Sequence, residues 1–250
     1  MIIAQISDTH IQSASGAAAP RLEDLARTVA SINAMTRRPD VVLHTGDVAH
    51  DATPEDYAAA RTMLSRLSVP VFAIVGNRDR RRPFIDAFGG DGYLGKESNF
   101  VQYAVDLGPI RIVAADTQDD ESALGGFCDE RAAQLRGLLS AGSGQPTLVF
   151  AHHPPVELPG MAGPSLQYRE GPQAAALARC IGECRSVIGV VAGHVHRSRA
   201  VALGGVTLTT VPSIAADLSR EKEGETYLRR PIYQVHTIEG STVNSASVVL

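Results

Sequence analysis

The first stretch of the sequence, MIIAQISDTH (Met1–His10), joins an apolar run of strand length to an aspartate and a histidine. A short isoleucine-rich run that ends at polar residues is typical of a buried β-strand. Because no basic residue precedes the apolar run, we interpret it as a first strand and not as a signal peptide. The same arrangement, a strand followed at once by Asp, Asn or His, recurs along the chain.

Similar apolar runs alternate with helix-like stretches through the first three quarters of the sequence. The expected strands are Ile2–Ile6, Val41–His44, Val69–Val75, Ile110–Ala115, Thr147–Ala151 and Val187–Ala192. The expected helices are Arg21–Met35, Pro54–Leu67, Glu130–Leu139 and Gln173–Cys184. This alternation predicts an α/β sheet core. No linker or repeat divides the sequence, so we expect one domain over residues 1–250.

The C-terminal part has a different pattern, because strand-like runs there follow one another with short turns between them. These runs are Ala200–Leu203, Val206–Val211, Ile232–His236 and Thr242–Val249. They predict a second, more antiparallel sheet. Two segments rich in small residues, Gly16–Ala19 and Val156–Gly171, are predicted loops. The second is long enough to shape a substrate pocket, with Met161, Tyr168 and Arg169 as candidate contacts.

Composition limits the classes of partner. The net charge of −4 argues against a nucleic-acid polymer or an anionic membrane surface as the main partner. The longest apolar runs are too short to span a bilayer. Three cysteines in 250 residues suggest reduced thiols and a cytoplasmic location. The sequence leaves open whether the chain forms a homo-oligomer.

The residues that follow five of the predicted strands are the ones that carry chemistry. They are Ser7-Asp8-Thr9-His10, Thr45-Gly46-Asp47, Gly76-Asn77-Arg78-Asp79, His152-His153-Pro154-Pro155 and Gly193-His194-Val195-His196. Strand ends of this kind are where open α/β sheets place their ligand sites. Any one aspartate here could be a turn former or a helix cap, but five such loops together favour a shared site.

The residue types in these loops indicate metal binding. Carboxylate, imidazole and amide groups are ligands of borderline-hard divalent metals. The spacings Asp8-x-His10 and His194-x-His196 let two side chains of one loop reach the same centre. These ligands exceed the four of a tetrahedral zinc site. We therefore predict two divalent metal ions, drawn from Mn, Fe, Zn or Co, that share a bridging carboxylate.

In this order, the motifs D-x-H, G-D, G-N-x-[DE], H-x-P and G-H-x-H resemble those of the calcineurin-like metallophosphoesterases. The similarity is greatest to the bacterial branch that contains class III cyclic-nucleotide and glycerophosphodiester phosphodiesterases. It covers nearly the whole chain, including Gly46–Ala49, Thr53–Tyr57 and Thr210–Ser213. The resemblance implies a four-layer α/β/β/α sandwich with two mixed β-sheets flanked by helices.

The resemblance also implies a role for each matching residue. The implied ligands of the first metal are Asp8, His10 and His196. Those of the second are Asn77, His152 and His194, and the implied bridge is Asp47. The implied catalytic residues are Asp47, Asn77 and His10, and from its position beside Asn77 we add Arg78 to them. We expect substrate contacts from Asn77, Arg78, His50 and His196, although His50, three residues past Asp47, could equally be a solvated loop histidine.

Arg78 departs from the family pattern, which usually has histidine at this position. An arginine keeps its charge at all working pH values and so cannot pass a proton to a leaving group. It can form two parallel hydrogen bonds to phosphate oxygens. We expect Arg78 to be an electrostatic clamp on the substrate. The alternative is an ordinary ion pair with Asp79 or Asp51.

The remaining histidines have simpler interpretations. We expect His153 to support the neighbouring ligand and not to bind metal itself. We expect His44 and His236 to be core residues with satisfied hydrogen bonds.

The resemblance implies a phosphodiesterase that hydrolyses small phosphodiesters, either a 3′,5′-cyclic nucleotide or a glycerophosphodiester, by attack of a metal-bound hydroxide. One alternative is a phosphomonoesterase on the same pair of metals. A more distant alternative is a non-catalytic interaction module that keeps the fold. The intact set of seven ligands argues against the last, because a decayed site is expected to have lost some of them.

Overall fold

The computed structural model describes residues 1–14, 18–95, 97–142, 144–158, 160 and 164–250. Its strands are β1 Ile2–Ile6, β2 Val41–His44, β3 Val71–Ala73, β4 Tyr103–Leu107, β5 Ile110–Ala115, β6 Thr147–Ala151, β7 Val187–Ala192, β8 Arg199–Leu203, β9 Val206–Thr210, β10 Lys222–Glu223, β11 Thr226–Tyr227, β12 Ile232–Glu239 and β13 Thr242–Val249. Its α-helices are α1 Ala18–Asn33, α2 Pro54–Leu64, α3 Arg81–Phe88, α4 Asp129–Ser140 and α5 Gly171–Glu183, and a short 3₁₀ turn spans Gly89–Asp91.

Two mixed sheets form the centre of the fold. The first has the strand order β13-β12-β1-β2-β3, and its three strands β1, β2 and β3 are parallel. The second has the order β4-β5-β6-β7-β9-β8, with β5, β6, β7 and β9 parallel. Antiparallel strands complete both sheets at their edges.

Side-chain alternation along the strands explains how the layers stack. In β5, Ile112 and Ala114 join the core shared by both sheets, whereas Val113 and Ala115 point to the opposite face and pack with α4 and α5. Helices α1 and α2 bury apolar faces against the first sheet. The result is a four-layer α/β/β/α sandwich, which confirms the expected fold class.

Most predicted elements are confirmed, with shifts at their ends. Five of the six strands predicted in the first part of the chain match the observed bounds, and the sixth, β3, is shorter than the predicted Val69–Val75. Helix α1 begins at Ala18, so the predicted loop Gly16–Ala19 is wrong at its last two residues, and Gly16 and Ala17 lie outside the described residues. Helix α3 and strands β4, β10 and β11 were not predicted. Pro83 lies in the first turn of α3, where a missing N–H has little cost.

The predicted separate antiparallel sheet at the C-terminus is wrong. Strands β8 and β9 extend the second sheet, and β9 pairs in parallel with β7. Strands β12 and β13 instead extend the first sheet, because β12 pairs with β1. The turns between these strands are local, but the choice of sheet depends on partners far away in the sequence.

His236 lies in the middle of β12 and is fully buried, as expected for a satisfied core residue. Its Nδ1 is 2.7 Å from Ser245 Oγ, and its Nε2 is 3.0 Å from Gln5 Oε1. The Gln5 amide group donates to Thr45 Oγ1 and to the Ala192 carbonyl, so its oxygen faces His236 and requires the ring to donate. Burial lowers the pKa of His236 to about 4.

This histidine makes the fold sensitive to acid. Its pKa is lower in the folded than in the unfolded chain, so its contribution to stability is complete above pH 6.5 and declines as the pH falls towards 4. Between pH 7 and pH 4.5 we expect a loss of about 2 kcal/mol from this residue alone. Urea unfolding of His236→Gln at the two pH values should show a correspondingly smaller decline than the wild type. Equal declines would contradict this assignment.

Candidate metal centre

The carboxyl ends of five parallel strands meet at one edge of the sandwich. Three of these strands, β1, β2 and β3, belong to the first sheet, and β6 and β7 belong to the second. The seven predicted ligands lie in the loops directly after these strands and contact one another there: Asp8, His10, Asp47, Asn77, His152, His194 and His196. The structure therefore brings together residues up to 188 positions apart in the sequence.

The first cluster is formed by Asp8, His10 and His196. His196 Nε2 lies 3.2 Å from Asp8 Oδ1 and 3.4 Å from His10 Nε2, and His10 Nε2 lies 3.8 Å from Asp8 Oδ1. All three ligand atoms lie within 4.8 Å of one another, as donors around one ion do. Burial opposes the ionisation of Asp8, but the combined attraction of His196, His152 and His10 outweighs it and holds the pKa of Asp8 well below its usual range.

Asp47 lies between the two clusters. Its Oδ2 is 3.5 Å from His10 Nε2, and its Oδ1 is 3.6 Å from His152 Nε2. One oxygen of the same carboxylate thus faces each cluster. Burial and the charge of Asp8 raise the pKa of Asp47 to about 8, so ionised Asp47 requires a compensating positive charge.

The second cluster shows where its ring protons lie. His152 Nδ1 donates to the Thr45 carbonyl at 2.7 Å, and His194 Nε2 donates to Gln167 Oε1 at 3.0 Å. Burial lowers the pKa of both rings, that of His194 to about 3, so each ring carries only this one proton. The other ring nitrogens direct lone pairs at Asn77 Oδ1, at 3.1 and 3.0 Å. Electron pairs that face one another in this way fit a bound cation.

Backbone strain is concentrated in the same residues. Six non-glycine residues of the described chain have a positive φ, and five of these are predicted ligands: Asp8, His10, Asp47, His194 and His196. Such conformations cost about 1–3 kcal/mol each and persist only where the surrounding structure fixes them. Here the loops after β1 and β2 hold each other, because Asp8 N donates to the Gly46 carbonyl and His10 N donates to the Asp47 carbonyl. This strain is typical of a functional site.

A buried carboxylate, that of Asp79, ties two of these loops together. It accepts hydrogen bonds from the backbone N–H groups of Val48 and Ala49 after β2 and of Gly76 after β3, at 2.8 to 3.1 Å. Burial and the charge of Asp47 raise the pKa of Asp79 to about 7. The side chain therefore sets the relative positions of the ligands on both loops.

Comparison with known proteins identifies the family. The model of the calcineurin-like phosphoesterases matches residues 1–198. The chain belongs to this family. The expectation drawn from the five sequence motifs is confirmed, and the fold and the clustered ligands indicate two divalent metal ions.

Among its relatives, a protein of Arcobacter nitrofigilis named "Probable glycerophosphodiester phosphodiesterase GpdQ" is 29% identical over 243 residues, which cover 94% of this chain and 88% of that protein. A "Probable cyclic nucleotide phosphodiesterase" of Synechococcus sp. is 28% identical over 214 residues, covering 85% of this chain and 80% of that protein. In fold, this phosphoesterase is similar to a dimetal phosphatase from Danio rerio, with a TM-score of 0.71, 14% identity and coverage of 100% and 98% of the two chains.

Arg78 lies beside the metal centre and is exposed. Together with Asn77 and His50 it lines a cleft of about 480 Å³. The alternative ion pair with Asp79 or Asp51 is wrong for this structure. Asp79 is occupied by backbone N–H groups, Asp51 accepts from a glutamine side chain, and no ion pair among the described residues includes Arg78. The guanidinium is therefore available to a ligand in the cleft.

The other histidines have the surroundings expected of supporting residues. A ring nitrogen of His153 lies within 4.8 Å of ring nitrogens of His152 and His194, but both nitrogens of His153 have other partners, Nδ1 with Thr117 Oγ1 at 2.9 Å and Nε2 with the Ala123 carbonyl at 3.3 Å. His44 is buried, with Nε2 at 3.0 Å from Thr9 Oγ1.

The long segment after β6 contributes a residue that sequence reasoning missed. Gln167 is nearly buried and accepts from His194, as described above. Of the contacts predicted in this segment, Tyr168 is buried and donates to the His153 carbonyl, Arg169 pairs with Glu121 at 2.8 Å, and Met161 lies outside the described residues. Only the length of the segment signalled its importance, since a lone glutamine has no distinctive motif.

Gly76 is packed against the metal centre without room for a side chain. A Cβ at this position would collide with the Asp47 carboxylate and backbone nitrogen and would lie 2.8 Å from His152 Cε1. We expect Gly76→Ala to cost about 1–3 kcal/mol of stability. We also expect it to weaken metal binding by at least about tenfold, because it displaces two ligands.

Unfolding and metal titration of the purified variant measure both effects. A matched control is Gly137→Ala in helix α4, where an added Cβ meets nothing within 4 Å. That change should raise stability slightly and leave metal binding unchanged. Wild-type metal affinity in Gly76→Ala would contradict the close packing described here.

No helix in the described parts of the chain is both long and apolar enough to cross a bilayer.

Proposed function

We propose that this chain is a phosphodiesterase that hydrolyses small phosphodiesters with two bound divalent metal ions. The observation that carries the proposal is the pair of ligand clusters joined by Asp47, in which lone pairs of neutral imidazoles and carboxylate oxygens converge. Asp8, His10 and His196 would hold one ion, and Asn77, His152 and His194 would hold the other. The names of the relatives, glycerophosphodiester and cyclic nucleotide phosphodiesterases, support the substrate class.

Two divalent metals in such a site neutralise phosphoryl oxygens and supply a hydroxide nucleophile near neutral pH. The protein's own contribution begins with fixed ligand geometry, which the hydrogen bonds on the far side of each imidazole provide. Arg78 and Asn77 border the cleft where the substrate phosphate would lie. Arg78 can stabilise negative charge there but cannot protonate the departing alkoxide. The ligand types suit Mn, Fe, Zn or Co.

The cleft beside the metal centre has a mixed charge. Its lining includes Asp51, Asp119, Asp120 and Glu121, against the two guanidinium groups of Arg78 and Arg80. Three of these carboxylates form ion pairs with arginines outside this set, Asp120 with Arg81 and both Asp119 and Glu121 with Arg169. These ion pairs offset most of the carboxylate charge, so the proposed preference for diesters rests on the names of the relatives and not on the charge of the cleft. The cleft volume of about 480 Å³ suits a small substrate.

The test uses metal-stripped protein reloaded separately with Mn²⁺, Fe²⁺, Zn²⁺ or Co²⁺. Each form is assayed on a bis-aryl and a mono-aryl phosphate, and then on 3′,5′-cyclic AMP and a glycerophosphodiester. We expect metal-dependent hydrolysis with the diesters preferred. A preference for the monoester would contradict the proposal and indicate a phosphomonoesterase. Absence of hydrolysis with every metal, in protein shown to bind two ions, would favour a non-catalytic role.

The three cysteines, Cys128, Cys180 and Cys184, are free thiols in the structure. As part of the same proposal we place the enzyme in a reducing compartment, the cytoplasm. Fractionation of cells that produce the protein tests this placement.

A further inference from the structure

The four histidines of the metal centre are anchored in two different ways. Backbone carbonyls accept the outer ring proton of His152 and of His196, the latter at 2.9 Å from the carbonyl of Leu218. Side chains hold the outer nitrogens of the other two rings, His10 and His194. Each proposed metal site thus contains one histidine with a backbone anchor and one with a side-chain anchor.

Gln167 is the anchor of His194. Its Oε1 accepts from His194 Nε2 at 3.0 Å, which leaves His194 Nδ1 to face Asn77. The amide group has a defined orientation, because its nitrogen donates to the Pro164 carbonyl. The backbone is also fixed, since the Gln167 carbonyl accepts from Gly125 N at 2.9 Å. Gln167 is therefore a rigid acceptor placed behind a ligand.

His50 occupies the corresponding position behind His10. The two Nδ1 atoms are 3.3 Å apart, so one ring must donate to the other. If His10 Nε2 is to direct a lone pair at a metal, its proton must lie on Nδ1, and His50 Nδ1 must accept that proton in a hydrogen bond. His50 would then carry its own proton on Nε2.

We propose that His50 and Gln167 are positioning residues, one for each metal ion, that fix the tautomer and ring orientation of His10 and His194. The inference rests on the ligand set of the proposed function. It assigns His50 a role at the first metal site that differs from the predicted contact with substrate. Outer hydrogen-bond partners of this kind typically contribute about 10- to 100-fold to metal affinity.

The experiment titrates Mn²⁺ into the metal-stripped full-length protein by calorimetry and counts bound metal by elemental analysis. His50→Leu and Gln167→Met remove the acceptor, whereas His50→Asn and Gln167→Glu keep an acceptor oxygen near the same place. Each apolar variant should weaken one of the two binding steps by about 10- to 100-fold. Each acceptor-retaining variant should bind both ions within a few-fold of the wild type.

A second set of variants assigns each anchor to its site. In a His196→Ala background only the site of Asn77, His152 and His194 is expected to bind metal. There, adding Gln167→Met should weaken the remaining binding step by about 10- to 100-fold. Adding His50→Leu should leave that step unchanged.

The outcomes separate the two proposals. A wild-type protein that binds no metal would overturn the proposed function and this inference together. A wild type that binds two ions, with both apolar variants equal to it, would overturn the inference alone. If an apolar variant does not fold, the acceptor-retaining variant at the same position is used as the test. A loss of metal affinity above tenfold in that variant would reject the proposed positioning role.

Discussion

Replacing Asp47 with asparagine should lower phosphodiester hydrolysis by more than about 100-fold, because even a residue that only supports a metal ligand contributes 10- to 100-fold. The same change should make the metal-stripped protein more stable. Asp47 is buried close to Asp8, and burial together with this like charge raises its pKa to about 8. Asp47 is ionised in the unfolded chain at neutral pH, so folding without metal must either protonate it or bury its charge beside Asp8, and asparagine avoids this cost.

Asparagine also suits the backbone at this position. The φ of Asp47 is 51°, a conformation that asparagine adopts more readily than most residues. Its Oδ1 can still accept from the backbone nitrogen of Arg78, as the carboxylate does at 2.7 Å. We therefore expect both the loss of hydrolysis and the gain in stability of the metal-stripped protein to arise from the changed charge and not from a distorted loop.

Steady-state rates with metal and thermal unfolding without metal test this pair of effects. Asp86→Asn in helix α3 is the matched control, since Asp86 is exposed and lies outside both clusters and the cleft lining. It should change neither quantity by much. If Asp47→Asn kept more than a tenth of the wild-type rate, Asp47 could not be the bridge between two metals.

Arg78→Ala should lower the hydrolysis rate by about 100-fold, the scale observed when one preorganised donor to a developing charge is removed. A clamp on the phosphoryl oxygens acts equally on all esters. We therefore expect the same loss for aryl and alkyl diesters, so that the dependence of rate on leaving-group acidity stays unchanged. Arg78→Lys should recover only part of the rate, because lysine cannot form two parallel bonds.

Arg80→Ala provides the control for charge in the cleft. Arg80 lines the same cleft, but its guanidinium donates to the Asp79 carbonyl at 2.9 Å. We expect only a small effect from this variant. A loss in Arg78→Ala that grows with the pKa of the leaving group would show that Arg78 acts on the departing oxygen and not on the phosphoryl group. Unchanged turnover of every ester would remove Arg78 from the mechanism.

The sequence allowed the position of the site to be predicted well because two local signals coincide there. The bounds of β1, β2 and β6 follow from short apolar runs, and each run ends at the ligand-bearing residues. The ends of parallel strands must meet, so the seven ligands could be expected to converge without knowledge of any side-chain angle. Their assignment to two separate ions relied on the family resemblance.

The features that could not be predicted depend on contacts between distant segments. The turn between β12 and β13 is local, but the sheet that this hairpin joins is decided by pairs such as Ile3 with His236. Arg81 belongs to a run of three arginines that resembles a solvated surface, yet its side chain is mostly covered and pairs with buried Asp116 at 2.8 Å. Neither outcome has a periodic signal in the sequence.

The origin of the ligands has a mechanical consequence. Asp8 and His10 extend from one sheet and His196 from the other, and the second cluster likewise combines Asn77 with two histidines of the opposite sheet. Each ion would therefore be bound by side chains from both sheets and would link the two sheets. Removal of the ions with a chelator should weaken the connection between the sheets and accelerate unfolding. The metal ions needed for catalysis would thus also determine the lifetime of the folded enzyme.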